Sequence, residues 1–189
     1  MLDLAYPIDD SVDINGHTYE LDLSFDNVLR LFDLLNDDEV DDLGKAELGL
    51  LMLINDELAD YEPQDKVDVF VHLFKSTIGK ETEDNQPVDI EGNPMPSNSG
   101  NDEKVYSIKE DAEYIFASFY QDYRIDLLEQ QGILHWNKFK ALLGGLKKDT
   151  RFKEILEIRQ MDLPKGKGSS KQREKIKELK KQYALKGDD

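Results

Sequence analysis

The chain has 189 residues, enough for one sizeable domain or two small ones, with 39% hydrophobic residues, 34% charged residues and a formal net charge of −17. It contains no cysteine, which excludes a disulfide scaffold, a thiol nucleophile and thiolate zinc sites. The charge is uneven: residues 1–103 carry 27 acidic and 5 basic side chains, and residues 104–189 carry 14 and 19. Such a division implies two parts that attract each other or that meet different partners.

Met1 leads into the acidic LDLAYPIDD without a basic segment, so no signal peptide is expected. In SVDINGHTYELDL (11–23), Asn15-Gly16 is the pair that a type I′ hairpin turn requires, and Val12, Ile14, Tyr19, Leu21 and Leu23 alternate around it. Ser24 is placed to cap a first helix whose stripe is Val28, Leu31, Phe32 and Leu35. The following KAELGLLMLIN is apolar nearly all round and is expected to lie inside the fold. Its apolar run, 48–54, is too short to span a bilayer, and no membrane association is expected. Pro63 opens a third helix with Val67, Phe70, Val71, Phe74 and Ile78 inward and Gly79 as its stop.

Residues 80–104 have no periodicity and mix Pro and Gly with acids and amides, the composition of a mobile linker. Ser107 and Glu110 form a capping box before a helix with stripe Ile108, Ala112, Ile115, Phe116, Phe119 and Tyr123. In GILHWNKFKALLGGL (132–146), Phe139, Leu142, Leu143 and Leu146 make one amphipathic stripe, which Trp136 adjoins. Thr150 is placed to cap a short helix with Phe152, Ile155 and Leu156 inward. Pro164 ends it, and KGKGSS reads as a flexible hinge. The last segment has helical propensity but a thin stripe, Ile176, Leu179 and Tyr183, so it frays alone or docks on a partner. The fold class is therefore mainly α: a small N-terminal β-hairpin plus helices (1–79), an acidic linker (80–104), a C-terminal helical unit (105–163), and a hinge with a basic helical tail (164–189).

No constellation for catalysis is present in the sequence, and the chain is read as a non-enzyme with no cofactor. His17, His72 and His135 have no ligand-type partner at helical spacing, so no metal site is expected. Calcium loops started at Asp37 or Asp89 place Asp42 or Pro94 where Gly is required, and Leu48 or Gly100 where Glu is required. GKGSSK (166–171) lacks the phosphate-loop spacing. Residues 165–186 hold 9 Lys/Arg against 2 Glu, yet the acidic whole repels a duplex, so nucleic acid is not an expected partner. The candidate contact surfaces are His135, Trp136, Lys138 and Phe139, and the tail stripe Ile176, Leu179 and Tyr183. The competing reading puts Trp136 and Phe139 in the C-terminal core with His135 and Lys138 outside.

The strings DAEYIFASF, YRIDLLE, LHWNKFKALLGGL, DTRFKEILEIRQMD and LKKQYAL, with INGHTYEL near the front, resemble a family of tailed-bacteriophage proteins named after gene product fifteen. The resemblance covers nearly the whole chain and is strongest from Tyr106 to Met161. It implies a tail assembly chaperone for a long non-contractile tail, encoded beside the tape measure protein. The implied partners are the tape measure protein, the tail tube protein and a second tail assembly chaperone, with self-association left open. The implied location is the host cytoplasm during assembly, in a lytic or prophage setting, and not the mature virion. The rival reading is a structural tail or head–tail joining protein retained in the particle.

Overall fold

Asn15 and Gly16 take φ of +53° and +85°, the two positive values a type I′ turn demands. In the computed structural model, which describes residues 3–78, 105–164 and 169–186, they join β1 (Ser11–Ile14) to β2 (His17–Glu20). The two strands pair antiparallel, with Ile14 opposite His17 and Val12 opposite Tyr19. The remaining elements among the described residues are helices, so the protein is mainly α with one small hairpin.

Helix α1 (Phe25–Leu35) follows Ser24, whose extended backbone suits an N-cap. The cap bond is not made: the Ser24 hydroxyl donates instead to Asp22 Oδ1 at 2.6 Å. Val28 and Leu31 are fully buried, and Phe32 and Leu35 half-buried. Asn27, also buried, donates through Nδ2 to the carbonyls of Asp22 (2.9 Å) and Met52 (2.7 Å), tying α1 to the end of the next helix.

Helix α2 (Asp42–Ile54) is capped by the Asp41 carboxylate, which accepts from the Gly44 amide at 2.8 Å. It buries Ala46, Gly49, Leu50, Leu53 and Ile54. The expectation that α2 is enclosed on all sides is corrected, because Leu48 and Leu51 are 45% and 40% exposed. Both lie across the helix from the side that packs on its neighbours.

Helix α3 (Pro63–Thr77) starts with Pro63 in its first turn, where the missing amide costs nothing. Its inward face is Lys66, Phe70 and Leu73. Val71, expected inside, is 39% exposed, and Leu73 occupies the interior instead. Gly49 explains the setting of the two helices. A Cβ there would come within 2.3 Å of Phe70 Cε2, so the absent side chain makes room for the ring. The expected stop at Gly79 and the expected linker 80–104 lie outside the described residues.

Helix α4 (Ala112–Tyr123) begins later than the capping box implied. Ser107 Oγ does accept from the Glu110 amide, at 3.3 Å. The reciprocal carboxylate comes from Asp111, not Glu110: its Oδ2 accepts from the Ser107 amide at 3.1 Å. Ala112, expected inside, is exposed. Helix α5 (Trp136–Gly144) and helix α6 (Arg151–Gln160) follow. Thr150 stands before α6, but its hydroxyl donates to the Lys147 carbonyl. The α6 amide of Phe152 is satisfied from elsewhere, by Ser118 Oγ of α4 at 3.0 Å. Helix α7 (Ser170–Gln182) packs against α6, which also packs on α4. The tail helix therefore docks on its own unit. Lys165 to Gly168 of the expected hinge lie outside the described residues.

The chain divides into two compact units. One comprises Met1–Gln86 with Gln130–Ala141, the other Pro87–Glu129 with Leu142–Asp189. Residues 130–141 thus group with the first unit and not with the rest of 105–163. The stripe expected on α5 divides accordingly: Phe139 falls in the first unit, and Leu142, Leu143 and Leu146 in the second. No helix among the described residues is long and apolar enough to cross a membrane.

Candidate functional site

The four candidates around α5 come together in the first unit, held there by main-chain bonds. The Phe25 amide donates to the Leu134 carbonyl (2.9 Å), and the Trp136 amide to the Leu23 carbonyl (2.7 Å), with Ser24 bridged antiparallel to His135. The Gly132 amide adds a bond to Asp26 Oδ1 at 2.8 Å. Gly132 has φ +70°, a value glycine reaches without a Cβ penalty.

His135 is 9% exposed. Its Nδ1 accepts from the Asn137 amide at 3.0 Å, so that nitrogen carries no proton. Nε2 then bears the hydrogen and donates to Asp10 Oδ1 at 3.1 Å. One ring thus caps the start of α5 and pins the segment before β1. Trp136 stacks on Phe139 with centroids 5.7 Å apart and meets Phe32 edge-on at 5.8 Å. Phe139 stacks in turn on Phe25 at 5.0 Å. Lys140 lies one turn on, with Nζ 5.2 Å from the Trp136 ring centroid, and burial lowers its pKa from the ordinary lysine value.

Trp136 and Phe139, 6% and 1% exposed, are core residues. The reading of them as open contact side chains is corrected, and so is their assignment to the C-terminal core, because their stacking partners lie on α1. His135 is inside with them. Of the four candidates, Lys138 is the exposed one.

The other three candidates gather in the second unit. Ile176 is buried, and Leu179 and Tyr183 are half-buried. Tyr183 is held on several sides: its hydroxyl oxygen accepts from Arg151 Nη2 (2.7 Å) and its carbonyl from Arg159 Nε (2.6 Å). Its ring lies under the Arg151 guanidinium at 5.2 Å and meets Tyr114 edge-on. The stripe anchors α7 to its own unit, so it is not a free surface.

Sequence reasoning missed the polar hub of this unit. Arg159 binds Asp111 by two bonds of 2.7 Å and also donates to the Val105 carbonyl at 3.1 Å. It thereby joins the segment before α4, helix α6 and the end of α7. Asp111 is 1% exposed, and no local pattern in the sequence separates it from the many other acids. A second pair, Asp122 with Lys147, links the end of α4 to the loop after α5. The hydrogen bond from Lys147 holds the Asp122 carboxyl below the usual carboxylate range, and the same bond raises the lysine.

Among the described residues, no group of three or more His, Asp or Glu is arranged to hold a metal ion. Among the exposed apolar side chains, which include Leu128 and Ile133, Leu48 and Leu51 form a pair one turn apart on α2. The signal of this pair in the sequence is an apolar run with little polar back, a pattern shared with a fully enclosed helix. Neither the curated proteins nor the solved structures compared with the chain gave a match. A family model described as Bacteriophage Gp15 protein matches residues 7–185, which takes in the hairpin and all the helices of both units, and the chain belongs to that phage family.

Proposed function

We propose that this protein is a tail assembly chaperone: it binds the tape measure protein in the host cytoplasm and aids assembly of a long non-contractile tail. The role is binding, not catalysis. The observation that carries the reading is the family match across both units, which makes the protein a phage protein over nearly its whole length. The surface chemistry supports it. A strongly acidic chain keeps a complex with an apolar client in solution. Leu48 and Leu51 on α2 supply apolar contact area that the fold itself leaves uncovered. The tail tube protein and a second tail assembly chaperone are further partners on this reading.

Quantitative mass spectrometry of infected cells and of purified particles tests the proposal. The protein is expected in the lysate, co-fractionating with the tape measure protein, and absent from finished particles. Stoichiometric presence in particles would overturn it in favour of a structural tail or joining protein.

A further inference from the structure

We propose that the outward face of α2 is a docking surface for a basic amphipathic helix of a partner protein. The proposal does not depend on which protein supplies that helix. Leu48 and Leu51 stand three residues apart on one side of α2, 45% and 40% exposed, while the opposite side is buried against α1 and α3. An exposed leucine pair at i and i+3 is the complement of an incoming apolar helical stripe.

Charge selects the partner. Asp37, Asp38 and Glu39 precede α2, and Asp56, Glu57 and Asp60 follow it. The helix has 13 residues, about 20 Å at 1.5 Å per residue, so an acidic segment adjoins each end of the helix that carries the apolar patch. The nearby cations are already engaged. Lys45 Nζ donates to the Leu35 carbonyl at 3.0 Å, and Lys66 Nζ to Glu47 Oε1 at 2.7 Å. A helix laid along this face meets apolar surface in the middle and negative charge at both ends. The fitting sequence has Leu, Ile or Met at its centre and Lys or Arg about two turns to either side. A second copy's α7 is basic and amphipathic, but its apolar residue Ile176 is already buried in its own unit.

Fluorescence anisotropy of a labelled 20-residue helical Leu/Lys peptide against the full chain tests this. The expected result is saturable binding that weakens by about tenfold or more in Leu48→Glu/Leu51→Glu. That variant gains two negative charges, so a purely electrostatic complex would tighten. Leu48→Ala/Leu51→Ala, which truncates both side chains without adding charge, is expected to weaken binding in the same direction and keeps the test open if the first variant does not fold. A Leu/Glu peptide of the same pattern is expected not to bind. Unchanged or tighter peptide binding in both variants would overturn the proposal. So would a sedimentation result in which the wild-type chain pairs with itself through this face and the variants are monomeric.

Discussion

Arg159 grips Asp111 through two parallel hydrogen bonds of 2.7 Å, Nη1 to Oδ2 and Nη2 to Oδ1, with side chains 11% and 1% exposed. A fork of this kind fixes direction as well as distance. The same guanidinium reaches the carbonyls of Val105 and Tyr183, so one side chain closes three chain segments on one another.

Asp111→Ala therefore leaves a buried guanidinium without its counter-charge. The expected loss is about 3–5 kcal/mol, read from urea unfolding followed by circular dichroism. Arg159→Lys is expected to recover only part of the stability, because an ammonium cannot make the paired bonds. Wild-type stability in Asp111→Ala would show that the hub is not a structural tie.

Trp136→Ala removes a ring that stacks on Phe139 and abuts Phe32. Truncation of a buried aromatic is expected to cost about 3–5 kcal/mol. The same unfolding measurement checks it. A fully stable variant would return Trp136 to the surface as a contact residue.

Gly49→Ala places a methyl group within 2.3 Å of the buried Phe70 ring. The usual gain from alanine in a helix is outweighed by overpacking, and a net loss of about 1–3 kcal/mol is expected. Adding Phe70→Leu to Gly49→Ala is expected to recover part of that loss, which a purely conformational effect of alanine would not predict.

The Asp122–Lys147 pair gives a pH dependence with a definite sign. The carboxyl is lowered from its ordinary value, so its contribution is complete above the ordinary carboxylate range and is lost as pH falls through the lowered value. The lysine is raised, so its contribution is complete below the ordinary lysine range and is lost as pH rises through the raised value. Asp122→Asn is expected to be less stable than wild type by a constant amount through neutral pH. The two curves should converge in acid below about pH 4. Thermal unfolding across pH 2.5–8 checks this, and a gap that persists unchanged to the lowest pH would contradict it.

The parts legible in the sequence are those set by near neighbours. Asn15-Gly16 determines its own turn, and Pro63 marks a helix start through contacts within one turn, whereas the second helix begins at Asp42 under an Asp41 cap, ahead of the KAELGLLMLIN run expected for it. Periodicity finds the stripe on α5 but not what it faces. His135 reaches Asp10 across 125 residues, and Trp136 reaches Leu23, just before α1, and Phe32 on α1. Spacing along one helix therefore does not tell which core the segment around Trp136 joins. Ser24 and Thr150 have the right residue type for a cap, yet neither hydroxyl oxygen accepts from a first-turn amide of its helix; the two hydroxyls donate to Asp22 and to the Lys147 carbonyl. The Asp111–Arg159 tie was hidden by abundance, since any one of many acids and several arginines could have formed such a pair. The leucines of α2 were hidden differently: an apolar helix looks buried until its neighbours are known to cover only one side.

Co-expression of the full chain with fragments of the tape measure protein is the most direct test of the central claim. The fragments are expected to move from the insoluble to the soluble fraction and to elute together with this protein. Fragments that stay insoluble beside abundant folded protein, with no co-elution, would contradict it.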